Sequence, residues 1–365
     1  MATFNAPLGD NEITMKTGKG NYNEHALLQA RAIEPALALL PDLSSHASIS
    51  IVDYGCSQGS NSLIPLKALL STLPANSTVS LTLNDQPFND WNTVSRTLHS
   101  REDEITRGGD LKLILNISPN SFYNQVIQDA SVDIALSWSA LSYLQHYLPT
   151  PPFSSLPEMV TRRKQRNTAQ AHIDLINLLR LRALEIKKGG YFIATLGGMK
   201  EGDGGENIAS APTTYAMMKA LQDLVAAGTM TTTQLLGMDP PIHERTVTEL
   251  RGSLDSVSDL WTIQHISTQT IIHPAWDSLQ ASQKSEQDYK EYAESIVDWV
   301  FSAFEWYIIK GLRVAEEEKG PRKPVTDEER MVLDDLIERC KKYVREEFKD
   351  LPCQVEYLYF KLVRN

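Results

Sequence analysis

Apolar positions along the chain change their spacing in an orderly way. From residue 23 to residue 40, Ala26, Leu27, Ala30, Ile33, Ala36, Leu37 and Leu40 recur at helical intervals. Asp42-Leu43-Ser44-Ser45 ends that pattern, and Ile51 and Val52 then open a short β-branched run that reads as a buried strand. Runs of the same character follow over 79–83, 111–115, 132–138 and 191–196. Helical patterns fall between them. One comes directly after the first strand (Leu63, Ile64, Leu66, Leu69, Leu70) and another covers 90–98. A long one covers 168–187, with Ile173, Ile176, Leu179, Ala183 and Ile186 on one face. Lys187 and Lys188 in its last turn, and Gly189-Gly190 after it, are stop signals. Leu148-Pro149-Thr150-Pro151-Pro152 should stay extended, because a residue before proline avoids the helical region. Strands alternating with helices predict an α/β fold around a mostly parallel sheet.

The rhythm changes after Gly205. Helical patterns dominate over 214–227 and 286–312, and Thr246-Val247-Thr248-Glu249 and Thr326-Asp327-Glu328-Glu329 have the form of capping boxes. Strand patterns at 260–266 and 355–363 interrupt and close the series. The expected organisation is an α/β core over 1–200, with residues 1–40 as an N-terminal lid segment. A mostly helical cap with late sheet strands covers 201–350, and a final core strand covers 351–365.

Charge narrows the partners. A net charge of −11 and a pI near 5.3 argue against a nucleic-acid or anionic-membrane binder, since both need basic surface. No apolar run approaches the roughly 20 residues that span a bilayer, and residues 1–10 lack a signal-peptide pattern. Cys56, Cys340 and Cys353 are too scattered for a disulfide framework or a zinc site. A reducing, cytoplasmic setting and no metal are the expectation.

Candidate chemistry centres on the segment from Ser50 to Asn61, a strand, a turn holding Gly55 and Gly59, and then a helix. In α/β folds a ligand cleft opens at the carboxyl end of such a strand. Two functions could use it. A nucleoside-bearing cofactor needs backbone that permits close approach, and an acid at the end of the next strand to accept from a ribose diol; Asp85 stands there. The full G-x-G-x-x-G of a pyrophosphate grip is absent, so S-adenosylmethionine, whose cationic end would suit Asp53, is the expected cofactor. Alternatively, Gly55-Cys56-Ser57-Gln58-Gly59 fits G-x-S-x-G, with Ser57 as a nucleophile. Against that reading, the turn follows the first strand, no His-Gly-Gly-Gly segment is present, and His243, His265 and His273 sit in no diagnostic context.

Asp53-Tyr54-Gly55-Cys56-Ser57-Gln58-Gly59-Ser60-Asn61-Ser62 resembles D-L-G-C-S-S-G-P-N-T of the SABATH carboxyl methyltransferases. Met15-Lys16-Thr17-Gly18, Tyr22 through Gln29, Leu83 through Thr93, Ser121-Phe122-Tyr123, Asp174 and the segment from Leu178 to Gly190 are similar to further family strings, as are Glu291 through Ile296 and Leu336 through Arg339. The resemblance covers nearly the whole chain. It implies a Rossmann-like class I methyltransferase sheet with a mostly helical cap, S-adenosylmethionine as cofactor, a small-molecule carboxylic acid as substrate, and a homodimer. It places Asp53 at the methionine end of the cofactor with Tyr22, Gly55 and Asn61 nearby. Asp85 would bind the ribose, Ser121 and Phe122 would flank the adenine, and Ser137 joins that set. Gln29 would hydrogen-bond the substrate carboxylate, with Lys16 close by and Tyr143 in place of a family Trp. Departures are His25-Ala26 for an Asn-Ser pair and Gln86 for a Leu, the latter adding a polar contact at the adenosine.

A carboxylate is already an anion at neutral pH, so its methylation by in-line displacement needs alignment and dryness rather than a base. By resemblance, Ser139, Ser142, Tyr143 and His243 replace larger or apolar residues, with Ser142 and His243 counted among the substrate contacts. They suggest a small acid that is polar at its far end, such as a dicarboxylate; Tyr215, Trp299 or Trp306 could instead refill the pocket with aromatics. Methylation of nitrogen or of a phenol by the same fold is the alternative, and hydrolysis at Ser57 a more distant one. Trp299, Phe301, Phe304 and Trp306 otherwise read as core or dimer interface, and Cys56 as a small buried residue.

Overall fold

The computed structural model describes residue 15 and residues 21–146, 156–202, 210–238, 240–313 and 324–365. Its elements in chain order begin with α1 (Asn21–His25), α2 (Leu27–Ile33) and a 3-10 turn over Glu34–Leu39. The predicted single helix over 23–40 is thus broken at Ala26, which leaves helical geometry, and again near Pro35, which has no N–H to continue the ladder. Then come β1 (Ser48–Tyr54), α3 (Leu63–Ser71), β2 (Thr78–Asp85), α4 (Trp91–His99), α5 (Glu102–Thr106), β3 (Lys112–Pro119) and β4 (Val132–Trp138). The second half has α6 (Leu156–Glu185), β5 (Ile186–Gly198), α7 (Ala211–Ala226), α8 (Thr232–Gly237), α9 (Val247–Asp255), β6 (Trp261–Ile272), α10 (Pro274–Ala281), α11 (Glu286–Leu312), α12 (Asp327–Glu346) and β7 (Gln354–Arg364).

The strands form one seven-stranded sheet in the order β3-β2-β1-β4-β5-β7-β6. The first five in that order run parallel, and β7 lies antiparallel between β5 and β6. This is the expected Rossmann-like class I methyltransferase sheet. β1 is central and buried on both faces from Ile51 to Tyr54, as its β-branched Ile51 and Val52 suggest, and that burial includes Asp53. The order reverses between β1 and β4, which opens a crevice at their carboxyl ends.

Both sequence-read capping boxes are present, Thr246 with Glu249 and Thr326 with Glu329. The stop of α6 differs from expectation. The helix ends at Glu185 because the Leu184 and Glu185 carbonyls accept from Ala130 and Ser131 (2.8 and 2.9 Å). Lys187 through Gly190 therefore open β5 through a register shift against β4. A Cβ on Gly190 would lie 2.8 Å from the Asp133 carbonyl oxygen, so only glycine fits that approach.

The cap is not a separate unit. Ile296, Trp299, Leu333 and Leu336 of α11 and α12 share one apolar cluster with Ile51 and Leu81 of the sheet. α9, within the stretch expected to be cap, lies on the other side: Leu250 and Leu254 pack with Leu178 and Leu179 of α6 and with Val52. Cys56, Cys340 and Cys353 are free and buried. Among the described residues no helix is long and apolar enough to cross a membrane.

Candidate active site

At the carboxyl ends of β1 and β2 the chain builds an acidic end of the crevice. Gly55 takes φ +84°, and its N–H and that of Cys56 both donate to the Asn84 carbonyl at the end of β2 (2.9 and 3.1 Å). Ser57 sits at φ +49°, held by its N–H to Asp85 Oδ2 (2.6 Å) and by Asn89 Nδ2 to its carbonyl (2.6 Å). A Cβ on Gly55 would lie 2.3 Å from Ala140 Cβ, so the missing side chain lets the segment after β4 close down on the turn.

Two carboxyl groups face this turn. Asp53 is 1% exposed, and neither of its oxygens has a hydrogen-bond partner among the described residues. Burial pushes it up to about 7; the Ser62 hydroxyl nearby works the other way, and the charge of Asp85 adds to the rise. Asp85 accepts from Ser57 and, through Oδ1, from the Gln86 N–H (2.7 Å), yet burial still raises it to about 6. An orphaned buried carboxylate is costly unless a cation or donor arrives to meet it.

The loop after β3 flanks this end. Ser121 Oγ accepts from Tyr123 N–H (3.3 Å), and the buried Phe122 ring comes within van der Waals reach of the space over Gly55. Arg182 and Glu185, both fully buried on α6, hold the loop in place. Arg182 donates to the Phe122 and Asn124 carbonyls (2.8 Å each), and Glu185 accepts from Val126 N–H (2.7 Å) and from the Tyr54 hydroxyl (2.6 Å). Ser137 gives its hydroxyl to the Tyr54 carbonyl (2.9 Å), so it braces β1 through that bond. Gln86 is half-buried beside Asp85.

The N-terminal helices cover the turn. Asn23 bonds Gln58 in two places and accepts from Ser60 N–H (3.2 Å), and Asn61 Nδ2 reaches the Ala26 carbonyl (3.5 Å). Tyr22 and Ala26 pack against Ala303 of α11. One turn further along, the Trp299 indole N–H donates to Gln29 Oε1 (2.7 Å). Burial raises the Tyr22 hydroxyl far above its ordinary value, with Tyr143, Tyr357 and Asp85 adding to it.

Opposite lies the segment after β4. The Tyr143 main chain is gripped by the Tyr123 hydroxyl on its carbonyl (2.6 Å) and paired with Ile242. Its phenol is raised by burial and by neighbouring Asp85 and Tyr357. Tyr357 itself is pushed up to about 12. Tyr22, Tyr143, Tyr357 and Asp85 thus share one neighbourhood. Ser142 and His243 are occupied differently: Ser142 Oγ accepts from Gly197 N–H (3.0 Å), and His243 Nε2 pairs with Glu249 (3.0 Å). Burial would raise Glu249, but the His243 bond and the cap of α9 hold it down at about 2. Lys16 lies outside the described residues. Tyr215 packs on Phe348, away from this set.

Roles for Asn23, Tyr123, Arg182 with Glu185 and Tyr357 were not legible from local pattern. Asn23 sits three residues from a helix break and looks like a solvated polar position, and the Arg182–Glu185 spacing reads as an ordinary helix pair. The Ser57 hydroxyl is buried without a partner among the described residues, so no base stands ready to activate it as a nucleophile. No cluster of metal-binding side chains occurs among the described residues.

Comparison with known proteins identifies the family and the fold. The family described as SAM dependent carboxyl methyltransferase matches residues 10–312. Methyltransferase FUS9 of Gibberella fujikuroi is 30% identical over 97% of this chain and 98% of its own length. O-methyltransferase acrG of Aspergillus aculeatus is 29% identical, covering 99% of each. The salicylate/benzoate carboxyl methyltransferase of Arabidopsis thaliana is 22% identical over 64% of this chain and 67% of its own. A solved structure of loganic acid methyltransferase with SAH superposes with a TM-score of 0.69 at 19% identity, over 96% of this chain and 99% of that one, showing the same fold. The chain belongs to the S-adenosylmethionine-dependent carboxyl methyltransferase family.

Proposed function

We propose that this protein transfers a methyl group from S-adenosylmethionine to a carboxylate oxygen of a small-molecule acid, releasing the methyl ester. The acidic end fits that cofactor. Asp53, buried and unpartnered, suits the cationic methionine end, and Asp85, already fixed by two N–H groups, has lone pairs left for a ribose diol. Ser121 and Phe122 would flank the adenine, with Gln86 beside it; Tyr22, Asn61 and Ser137 would contact or brace the same ligand. The cofactor, when bound, supplies an electrophilic methyl carbon.

The chain's own residues then orient the acid and keep water out. Trp299 engages the amide oxygen of Gln29, which leaves the amide NH₂ as a fixed donor face. Tyr143, its phenol raised by burial, stays protonated and donates. A carboxylic acid ionises near pH 4, so it arrives as the anion and needs no base. Holding one oxygen about 3 Å from the methyl carbon supplies the rate through proximity.

The observation that carries this reading is the Trp299–Gln29 bond. It fixes the Gln29 amide as a neutral double donor which, together with the protonated Tyr143 phenol, would suit an anionic acceptor and offer no base to a phenol or an amine. Relatives named for gibberellic acid and for salicylate and benzoate point to acids as well. The acid proposed here is small and polar at its far end. The test is transfer of labelled methyl groups to a panel of mono-, di- and hydroxycarboxylic acids, with products checked for base-labile esters. Gln29→Ala should raise KM for the acid about tenfold, as for loss of a bond to a charged group, and leave the affinity for S-adenosylhomocysteine unchanged. Methylation of phenols or amines with no ester from any acid would overturn the reading. Better turnover of benzoate or salicylate than of any dicarboxylate would overturn the polar-acid part.

A further inference from the structure

Tyr307 on α11 is a buried polar group that neither the fold nor the chemistry above uses. It is 6% exposed, its ring lies against Phe304 (6.3 Å between centroids), and its hydroxyl has no hydrogen-bond partner among the described residues. Native proteins seldom leave a buried hydroxyl unpaired without a reason. Its place in the fold supplies one. Trp299, Ala303 and Tyr307 are spaced four apart and form one stripe of α11. Trp299 holds Gln29, Ala303 packs on Tyr22 and Ala26, and Tyr307 lies near the Tyr143 phenol. Eight residues of helix span about 12 Å. A carboxyl group held by Gln29 therefore leaves Tyr307 facing a different part of the same molecule.

We propose that Tyr307 is a specificity-determining residue whose hydroxyl donates to a substrate oxygen outside the methylated carboxyl. The acids accepted are then those with a hydroxyl, carbonyl or second carboxylate group on the α11 side. This rests on the carboxyl-methylation reading above. Burial, with Tyr143 beside it, raises the Tyr307 phenol well above its ordinary value, so it acts as a donor. Trp138 Nε1, at the carboxyl end of β4, is also buried without a partner among the described residues, while Ser142 Oγ accepts from Gly197 and His243 pairs with Glu249. Tyr307 thus adds a buried donor to the polar residues suggested by resemblance. A site built to bond a substrate oxygen discriminates strongly against the analogue that lacks it, because the buried donor is then stranded.

The test compares adipate with hexanoate and 3-hydroxybenzoate with benzoate, in the wild-type protein and in Tyr307→Phe. Wild type should favour the oxygenated member of at least one pair by about tenfold or more in kcat/KM. Tyr307→Phe should lower kcat/KM about tenfold for that member and less than about twofold for the plain acid. Its affinity for S-adenosylhomocysteine should not change. Equal losses on both members, or none, overturn the proposal. The melting temperature of Tyr307→Phe should match or exceed that of wild type, since an unpartnered hydroxyl is removed; a fall beyond about 5 °C would show a structural bond and overturn it too. If neither pair is esterified, calorimetric binding of the same acids to the S-adenosylhomocysteine complex decides. A pair preference lost in Tyr307→Phe keeps the assignment while the carboxyl-transfer reading falls, and no preference in wild type overturns the assignment.

Discussion

Asp53, Gly55, Ser57 and Asp85 come from two adjacent strands and the turn after the first, and their geometry is set by main-chain bonds such as Gly55 to Asn84 and Ser57 to Asp85. Gln29, Tyr143, Trp299 and Tyr307 come from α2, the segment after β4 and the middle of α11, and side chains position them: an indole on an amide, a phenol on a carbonyl. The acidic end is a local construction that any chain with this strand-turn-helix can make. The phenol-rich end exists only once α11 has packed across the N-terminal helices. Binding of a common cofactor therefore sits where sequence and geometry are tightly coupled. On the function proposed above, choice of acid would sit where a single side chain can change without disturbing the sheet.

The largest expected effect comes from breaking the acidic end at its support. Arg182→Met would leave Glu185 as a fully buried, uncompensated charge, with Tyr54, Val126 and Ile127 still attached. Loss of one partner of such a pair costs about 3–5 kcal/mol. Urea denaturation should show this loss, together with weaker binding of S-adenosylhomocysteine as the loop over 121–127 loosens. A cost below about 1 kcal/mol, the level of a surface pair, would mean the loop is held by something else.

Gly55→Ala comes next, because it strikes where the two ends touch. The new Cβ would be strained at φ +84° and would press on Ala140, three residues before Tyr143. Left-handed strain and overpacking together cost about 2–4 kcal/mol. Both cofactor affinity and KM for the acid should worsen. A variant that loses only one of them would show that the ends are less coupled than the Gly55–Ala140 contact implies.

Titration separates the ends more gently. Burial raises Asp53 to about 7 and Asp85 to about 6, above the ordinary value of 3.8. The folded protein without ligand then binds more protons than the unfolded chain between pH 4 and pH 7, so its stability falls as pH rises through that window. An ammonium group beside Asp53, which S-adenosylhomocysteine keeps although it lacks the sulfonium, reverses the shift and expels a proton. The dissociation constant for S-adenosylhomocysteine should therefore tighten by up to about tenfold per unit from roughly pH 5.5 and level off above about pH 7. Calorimetry in two buffers of different ionisation enthalpy would register the released proton, and Asp53→Asn should flatten the dependence. KM for an acid at saturating cofactor should stay level over the same window, since the phenols titrate far higher. A flat cofactor affinity would remove the asymmetry between the ends.

How far these ends were legible in the sequence follows the same division. The parallel strands, the glycine turn and the paired acids could be read because each is a local pattern: β4 lies over 132–138 as its apolar run suggests, and α11 spans Glu286–Leu312 as its periodicity does. The stop of α6 was misplaced because Lys187 to Gly190 carry good termination chemistry, yet Ala130 and Ser131, more than fifty residues upstream, take the last carbonyls first. Trp299 read as core because an indole on an apolar helix usually is; only the crossing of α2 over α11 turns its N–H toward Gln29. Ser142 and His243 show the same limit, since their bonds to Gly197 and Glu249 join positions far apart in the sequence or across a loop and carry no local signature.

Tyr123 offers the smallest and sharpest prediction, because it belongs to one end by sequence and to the other by contact. It follows Phe122 in the loop beside the acidic end, its ring 4.8 Å from Phe122, yet its hydroxyl holds the carbonyl of Tyr143 at 2.6 Å. It touches the proposed substrate only through Tyr143 and is a positioning residue. Tyr123→Phe keeps the ring and deletes one hydrogen bond to a carbonyl, a change of about 1 kcal/mol. If the phenol-rich end is positioned by side chains, that variant should raise KM for the acid severalfold while kcat at saturation and affinity for S-adenosylhomocysteine stay near wild type. The expected split follows from where the bond ends: slack in the Tyr143 main chain misplaces a donor to the acid, whereas Phe122 remains fixed by Arg182 on its own carbonyl. An equal loss of cofactor affinity would instead mean that the loop moves as one body, with the two ends of the crevice sharing a single support.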